Sequence, residues 1–366
     1  VRVAIVSAYA LSVFGGAQEQ ALAMSRELSR RGHDVLLVAP DASDHTTYET
    51  PAQVVRFGHL VKIPANGSRA PLTLSPRAAR QARVAVAAFR PDVAHFHEPF
   101  APLVGWGVLR SHTAPAVATF HRGGGGPAFT LTAPLLRRLK SNLDASAAVS
   151  DAAASTIHDA CGLSPVVLFN GFEMDRFTAS PRERGEEIVL VGLGRHEPRK
   201  GFAHAINAVR AHNAKGEEPW RLVLLGDGPQ RHTLETLAAG DPMIVFAGAP
   251  SDEQKRSWLR RAHVVIAPSL RGESFGMILL EAMASETSVV ASDIDGYRDA
   301  AGGFATMFEA GNDVSLEGAI ASALANETPA QIAAARHYAQ NWSMATLMDN
   351  YLALYAIATT AFLSRR

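Results

Sequence analysis

The chain has 366 residues, 47% of them hydrophobic, with 35 basic and 35 acidic side chains. This composition excludes disordered, collagenous and disulfide-scaffold classes, and the length suits about two domains that each bury a core. A single cysteine, Cys161, excludes an intrachain disulfide, and no apolar run approaches the ~20 residues of a membrane-spanning helix.

The first apolar run, residues 2–7, is only a strand long and is followed by Gly15-Gly16 and an amphipathic stretch. That reads as a first strand, turn and helix rather than as a signal peptide. Further strands fit 35–38, 53–57, 92–96, 116–119, 146–149 and 165–169, with helical stretches at 17–31, 76–89, 101–110, 131–141 and 151–160. The polar, Pro- and Gly-bearing stretch 171–187 reads as a linker. The rhythm then restarts with a strand at 188–193, a helix at 201–213, strands at 222–225, 243–247, 263–267, 288–291 and 305–308, and a closing amphipathic helix from Trp342 through Tyr355. Strand and helix in alternation predict parallel sheets covered on both faces. The expected fold class is α/β, two Rossmann-like domains with parallel sheets facing a central cleft.

The zero net charge conceals a local imbalance. Residues 51–140 hold twelve Lys and Arg against two acidic residues, Asp92 and Glu98. Such a segment suits an anionic partner. Arg77, Arg80 and Arg83 follow the helix start Ser75-Pro76 on one side of a helix and are the candidate contact with an acidic lipid surface. Nucleic acid is not expected, because no DNA-binding motif or aromatic-interleaved basic stretch accompanies them.

Three further motifs carry chemistry. Gly15-Gly16 at a helix start lets a backbone approach a phosphate, although the full G-x-G-x-x-G fingerprint of dinucleotide enzymes is absent. Gly194-Arg195-His196-Glu197-Pro198-Arg199-Lys200-Gly201 sets three cations in a strand-to-helix loop, where Arg195 and Lys200 suit a diphosphate. In the stretch from Arg271 to Ala284, a helix starting at Ser274 would put Ser274 and Glu281 on one face, with Glu273 just before it. Glu281 has no cation on its own helix, so a ribose diol or a partner from elsewhere in the fold must satisfy it. No metal site is expected: Asp293-Ile294-Asp295 reads as a turn or helix cap, and His95 and His97 as packed histidines.

The paired glutamates, the Arg/Lys loop and the early Gly-Gly resemble the retaining glycosyltransferases of family 4, which have the two-domain GT-B fold. More narrowly, the chain is similar to the actinobacterial phosphatidylinositol mannosyltransferases. Tyr9, Ile63-Pro64-Ala65-Asn66-Gly67-Ser68, His95-Phe96-His97-Glu98-Pro99, Ala118-Thr119-Phe120-His121 and Val290-Ala291-Ser292-Asp293 add to the likeness. The resemblance implies an acceptor-binding domain over 1–172, a nucleotide-sugar domain over 186–345, and a helix 346–366 returning to the first domain. It implies that Arg195 and Lys200 hold the donor diphosphate and Glu281 the ribose. Glu273, Ser274, Phe275 and Gly276 would hold the hexose, with His121 facing the sugar and Gly16 near the reacting centre. Tyr9, Gly15, Gly16, Asn66 and Ser68 would meet the acceptor.

The implied reaction moves mannose from GDP-mannose to the inositol of phosphatidylinositol at the cytoplasmic membrane face, with no required cofactor or metal. The run Arg122-Gly123-Gly124-Gly125-Gly126-Pro127 and the stretch Leu11-Ser12-Val13-Phe14 depart from the mannosyltransferase pattern. They keep open a different hexose donor with another lipid or soluble polyol acceptor. A sugar-nucleotide epimerase or a non-catalytic sugar-nucleotide-binding protein is the remaining alternative.

Overall fold

A computed structural model of the protein describes residues 1–12, 16–40, 50–65, 68–101, 103–111, 113–121, 134–178, 182–273 and 275–365. The chain forms two units, one of Val1–Gly171 with Met344–Arg366 and the other of Phe172–Ser343.

The first unit is built on β1 (Arg2–Ser7), β2 (Asp34–Pro40), β3 (Gln53–Phe57), β6 (Val93–His97), β7 (Ala116–Phe120), β8 (Ala145–Ala148) and β9 (Val166–Val167). These pair in parallel in the order β3-β2-β1-β6-β7-β8-β9. A strand covered on both faces reads as an unbroken apolar run, and β1 shows why. Its Ala4 and Val6 join Leu36, Phe96 and Phe120 on one side, while Val3 and Ile5 join Leu37 and Val117 on the other. Helices Pro76–Phe89, Val104–Leu109 and Asp151–Cys161 cover the first side; Gly16–Arg30 and Met344–Ser364 cover the second. Helix Pro76–Phe89 begins where Ser75 Oγ accepts from the Ala78 N–H at 3.3 Å, with proline in the first turn. An antiparallel pair, β4 (Val61–Ala65) and β5 (Ser68–Leu72), falls where no strands were expected.

In the second unit β10 (Ile188–Leu193), β11 (Trp220–Leu225), β12 (Ile244–Gly248), β13 (Val264–Ala267), β14 (Ser288–Ser292) and β15 (Thr306–Phe308) pair in parallel in the order β12-β11-β10-β13-β14-β15. Leu190, Leu222, Leu224, Ile266 and Val290 form the sheet's share of a core closed by helices Phe202–Asn213 and Asp313–Ala325.

The two units divide between Gly171 and Phe172, at the start of the stretch read as a linker, and described residues of that stretch are held by specific contacts. Gln20 holds both backbone polar groups of Gly171 within the first unit, while Phe172 bridges Ser343 in the second. Arg182 and Arg184 both ion-pair with Glu327 at 3.1 and 2.6 Å, which ties that segment to the second unit. The helix expected from Ser274 instead runs Met277–Ala284, because Gly276 before it sits at φ 84, outside helical space. Ser274, on which the expected one-face relation with Glu281 depended, lies outside the described residues.

Candidate active site

In the second sheet β10 lies between β11 and β13, so the winding reverses there. Loops beyond the carboxyl ends of strands at such a switch point are where α/β sheets bind ligands. The loop after β10 and the segment after β13 meet closely. A Cβ on Gly201, whose φ is 66, would lie 2.0 Å from the Pro268 carbonyl oxygen, so the loop can close there only as glycine. Between Gly194 and Gly201 a single 3-10 turn, Pro198–Lys200, sets Arg199 and Lys200 side by side.

Glu273 is the hub of what results. Its Oε1 accepts from Lys200 Nζ at 2.6 Å, from Ser269 Oγ at 3.0 Å and from Arg199 Nη1 at 3.1 Å. Ser269 Oγ lies 2.8 Å from Tyr297 Oη, and burial, then the Glu273 charge, pushes that buried phenol's pKa up. Arg199 also donates to the Gly272 carbonyl at 3.1 Å and to Glu197 Oε2 at 3.0 Å. Arg195 Nε stands 3.2 Å from Glu197 Oε1 with its side chain 68% exposed, so the guanidinium is open to a ligand anion. The cluster thus offers cations for a diphosphate beside a carboxylate that can accept sugar hydroxyls, both through charge-assisted hydrogen bonds. His196, in the same loop, is wholly buried, and burial lowers its pKa.

Glu281, expected to await a ligand or a tertiary partner, has the partner. Lys255 Nζ of helix Asp252–Arg261 lies 3.0 Å from its Oε1. Phe275 is buried with its ring 4.6 Å from that of Trp342, and Gly276 caps helix Met277–Ala284. Arg298 binds both Asp293 and Asp295, at 2.5 and 2.7 Å, with Asp295 opening helix Asp295–Ala301. Among the described residues no group of three or more His, Cys, Asp or Glu is placed to hold a metal. A cavity of about 180 Å³ lined by Ser288, Thr306 and Asn326 lies at the amino ends of β14 and β15, away from this cluster, and has none of its cations.

The first unit has its own polar group at the carboxyl ends of β6 and β7. His95 Nδ1 lies 2.7 Å from Tyr355 Oη and its Nε2 2.7 Å from Thr119 Oγ1, which is 2.8 Å from Tyr351 Oη. His97 Nδ1 lies 2.8 Å from His121 Nε2, and the His121 backbone N–H donates to Glu98 Oε1 at 2.5 Å. Burial drives the His95 pKa down to about 3 and that of His121 to about 4, and holds His97 well below its usual value. His95 and His97 are therefore packed, neutral imidazoles.

Of the remaining residues, Gly16 is the first of helix Gly16–Arg30, and the Tyr9 N–H donates to Ser7 Oγ at 3.2 Å. Ser68 pairs with Ala65 across β4 and β5. Arg77, Arg80 and Arg83 are exposed on helix Pro76–Phe89. Gly15, Asn66 and the 122–127 stretch lie outside the described residues. Sequence reasoning missed Ser269, Tyr297 and Lys255 and gave Arg199 no separate role. Position beyond the end of β13 could have flagged Ser269; nothing in the sequence pairs Lys255 with Glu281. Among the described residues no helix is long and apolar enough to cross a membrane.

Residues 173–342 match the family described as glycosyl transferases group 1, and residues 14–176 match glycosyltransferase family 4. A phosphatidyl-myo-inositol mannosyltransferase of Propionibacterium freudenreichii is 32% identical over 384 residues, covering 100% of this chain and 97% of that protein. One of Mycolicibacterium smegmatis is 36% identical over 303 residues, covering 81% of this chain and 77% of that protein. The fold is similar to that of a Rickettsia africae glycosyltransferase, with a TM-score of 0.74 at 16% identity and 98% of each chain covered. It is also similar to Anabaena HepE in complex with UDP-glucose, with a TM-score of 0.68 at 18% identity and 100% of each chain covered.

Proposed function

Because the chain belongs to family 4 of the glycosyltransferases and has the GT-B fold, we propose that it transfers mannose from GDP-mannose to the inositol ring of phosphatidylinositol. The observation that carries this reading is the bonding of Glu273 to Lys200 and Arg199 at the β10–β13 switch point. The names of relatives that span the chain support mannose as the sugar and an inositol lipid as the acceptor.

As the anomeric bond breaks, charge gathers on the departing diphosphate. Arg195 and Lys200 stabilise it as preorganised cations, which is also why the reading requires no metal. Glu273 accepts hydroxyls of the hexose and Glu281 those of the ribose, the latter while bonded to Lys255. Configuration is retained by attack from the face the diphosphate leaves, with the phosphate taking the acceptor's proton. His121 lies beside the sugar. Tyr9, Gly15, Gly16, Asn66 and Ser68 meet the acceptor, and Arg77, Arg80 and Arg83 rest on the anionic inner face of the membrane.

The test is incubation with labelled GDP-mannose, UDP-glucose and UDP-N-acetylglucosamine, with and without phosphatidylinositol vesicles. Label entering lipid from GDP-mannose alone is the expected result. Label entering only soluble acceptors would remove the lipid from the reading, and label from a uridine donor would remove the mannose.

A further inference from the structure

The pair His97-Glu98 has no part in the proposed chemistry, yet it grips His121 twice. Glu98 takes the His121 backbone N–H, and the His97 ring meets the His121 ring edge to edge through Nδ1 and Nε2. The His97 ring lies nearly parallel to both neighbouring rings, with centroids 4.8 Å from His95 and 5.1 Å from His121. We infer that His97 is a positioning residue that donates from Nδ1 to His121 Nε2, fixing His121 in its Nδ1–H tautomer.

The argument is one of proton placement. His97 is buried and His121 partly buried; desolvation holds both rings neutral, so each carries one proton, and the 2.8 Å contact needs one proton between its two nitrogens. His97 Nε2 is buried and has no hydrogen-bond partner among the described residues. Were His121 the donor, the proton of His97 would sit on that Nε2 as a buried N–H with no acceptor. Buried orphan N–H groups are rarer than under-used acceptors, so the proton belongs on Nδ1. The neighbouring ring does not compete for it, because His95 spends both nitrogens on Tyr355 and Thr119.

His121 then carries its own proton on Nδ1. It offers a hydrogen-bond donor to a sugar hydroxyl and has no free basic nitrogen. This step rests on the proposal that His121 faces the donor sugar. The tautomer itself does not depend on that proposal.

Long-range proton–nitrogen NMR of the wild-type imidazoles, combined with kinetics of His97→Leu, His97→Asn and His121→Ala, tests it. The expected spectrum has His121 protonated on Nδ1 and bare on Nε2; protonation on Nε2 overturns the inference outright. His97→Leu should lower kcat about tenfold with the donor KM within about twofold, the loss of one oriented hydrogen bond. His97→Asn keeps a nitrogen donor at the δ position and should restore most of kcat, a result that loss of packing alone does not give. An unchanged kcat in His97→Leu, with His121→Ala inactive, overturns the positioning role. The expected tautomer with a fully active His121→Ala overturns instead the placement of His121 at the sugar.

Discussion

Lys200 Nζ lies 2.6 Å from Glu273 Oε1, although the two residues come from loops after different strands. The cation proposed to hold a diphosphate and the carboxylate proposed to hold a hexose are thus bonded to each other. Replacing Lys200 by Ala should therefore injure both functions, lowering kcat/KM about a hundredfold. Initial rates with the nucleotide sugar and calorimetric titration of the nucleoside diphosphate check this. Full activity in that variant would show that the cluster is only structural.

Glu281 and Lys255 are 15% and 19% exposed, intermediate between a surface pair and a core pair. Lys255→Met should destabilise the second unit by about 1–2 kcal/mol by leaving a half-buried carboxylate without its cation. Adding Glu281→Gln should recover part of that loss, because the stranded charge is gone. Urea unfolding of the single and double variants measures the coupling. Strict additivity of the two losses would mean the pair contributes nothing.

The histidine cluster makes the first unit sensitive to acid. Burial keeps His95 neutral down to about pH 3 and His121 to about pH 4, whereas an unfolded histidine takes its proton near 6.5. The unfolded state thus binds more protons below about pH 6.5. Their contribution is fully present above that value and lost progressively as pH falls towards the folded values. His95 alone should cost about 2 kcal/mol of stability by pH 5. Denaturant midpoints between pH 7.5 and 4.5 should show the decline beginning near 6.5, above the carboxylate range; a flat profile down to pH 5 would contradict it.

Arg77, Arg80 and Arg83 are exposed along helix Pro76–Phe89. At about 1 kcal/mol for each basic residue at an anionic surface, reversing all three to Glu should weaken vesicle binding more than about a hundredfold. Co-sedimentation with phosphatidylinositol vesicles reads this, and raising the salt should produce a similar loss in the wild type. Nucleotide affinity should stay as it was. Undiminished vesicle binding would place the membrane contact elsewhere.

The strand and helix rhythm was legible because both sheets are covered on two faces, which turns central strands such as β1 and β10 into unbroken apolar runs. The cationic loop of Arg195, Arg199 and Lys200 was legible because its cations cluster within a few residues. The partner of Glu281 was not legible for the opposite reason: Lys255 reaches it only by tertiary packing of another helix. The start of helix Met277–Ala284 was readable in part, since Gly276 marks it, but the apolar residues on either side of that glycine masked the break. The link from His95 to Tyr355 spans 260 positions, and no local pattern carries that distance.

Helix Met344–Ser364 supplies Tyr351, Tyr355 and Met348 to the core of the first unit, yet it follows the whole of the second unit along the chain. During synthesis, residues 172–343 leave the ribosome and can close their sheet while the first unit still lacks one of its covering helices. Domains generally fold as units and in order of emergence. Here the unit that begins first is completed last, and until then the part of one sheet face that Met344–Ser364 covers, with the hydrogen-bonding edge of His95, is open to chaperones and to aggregation.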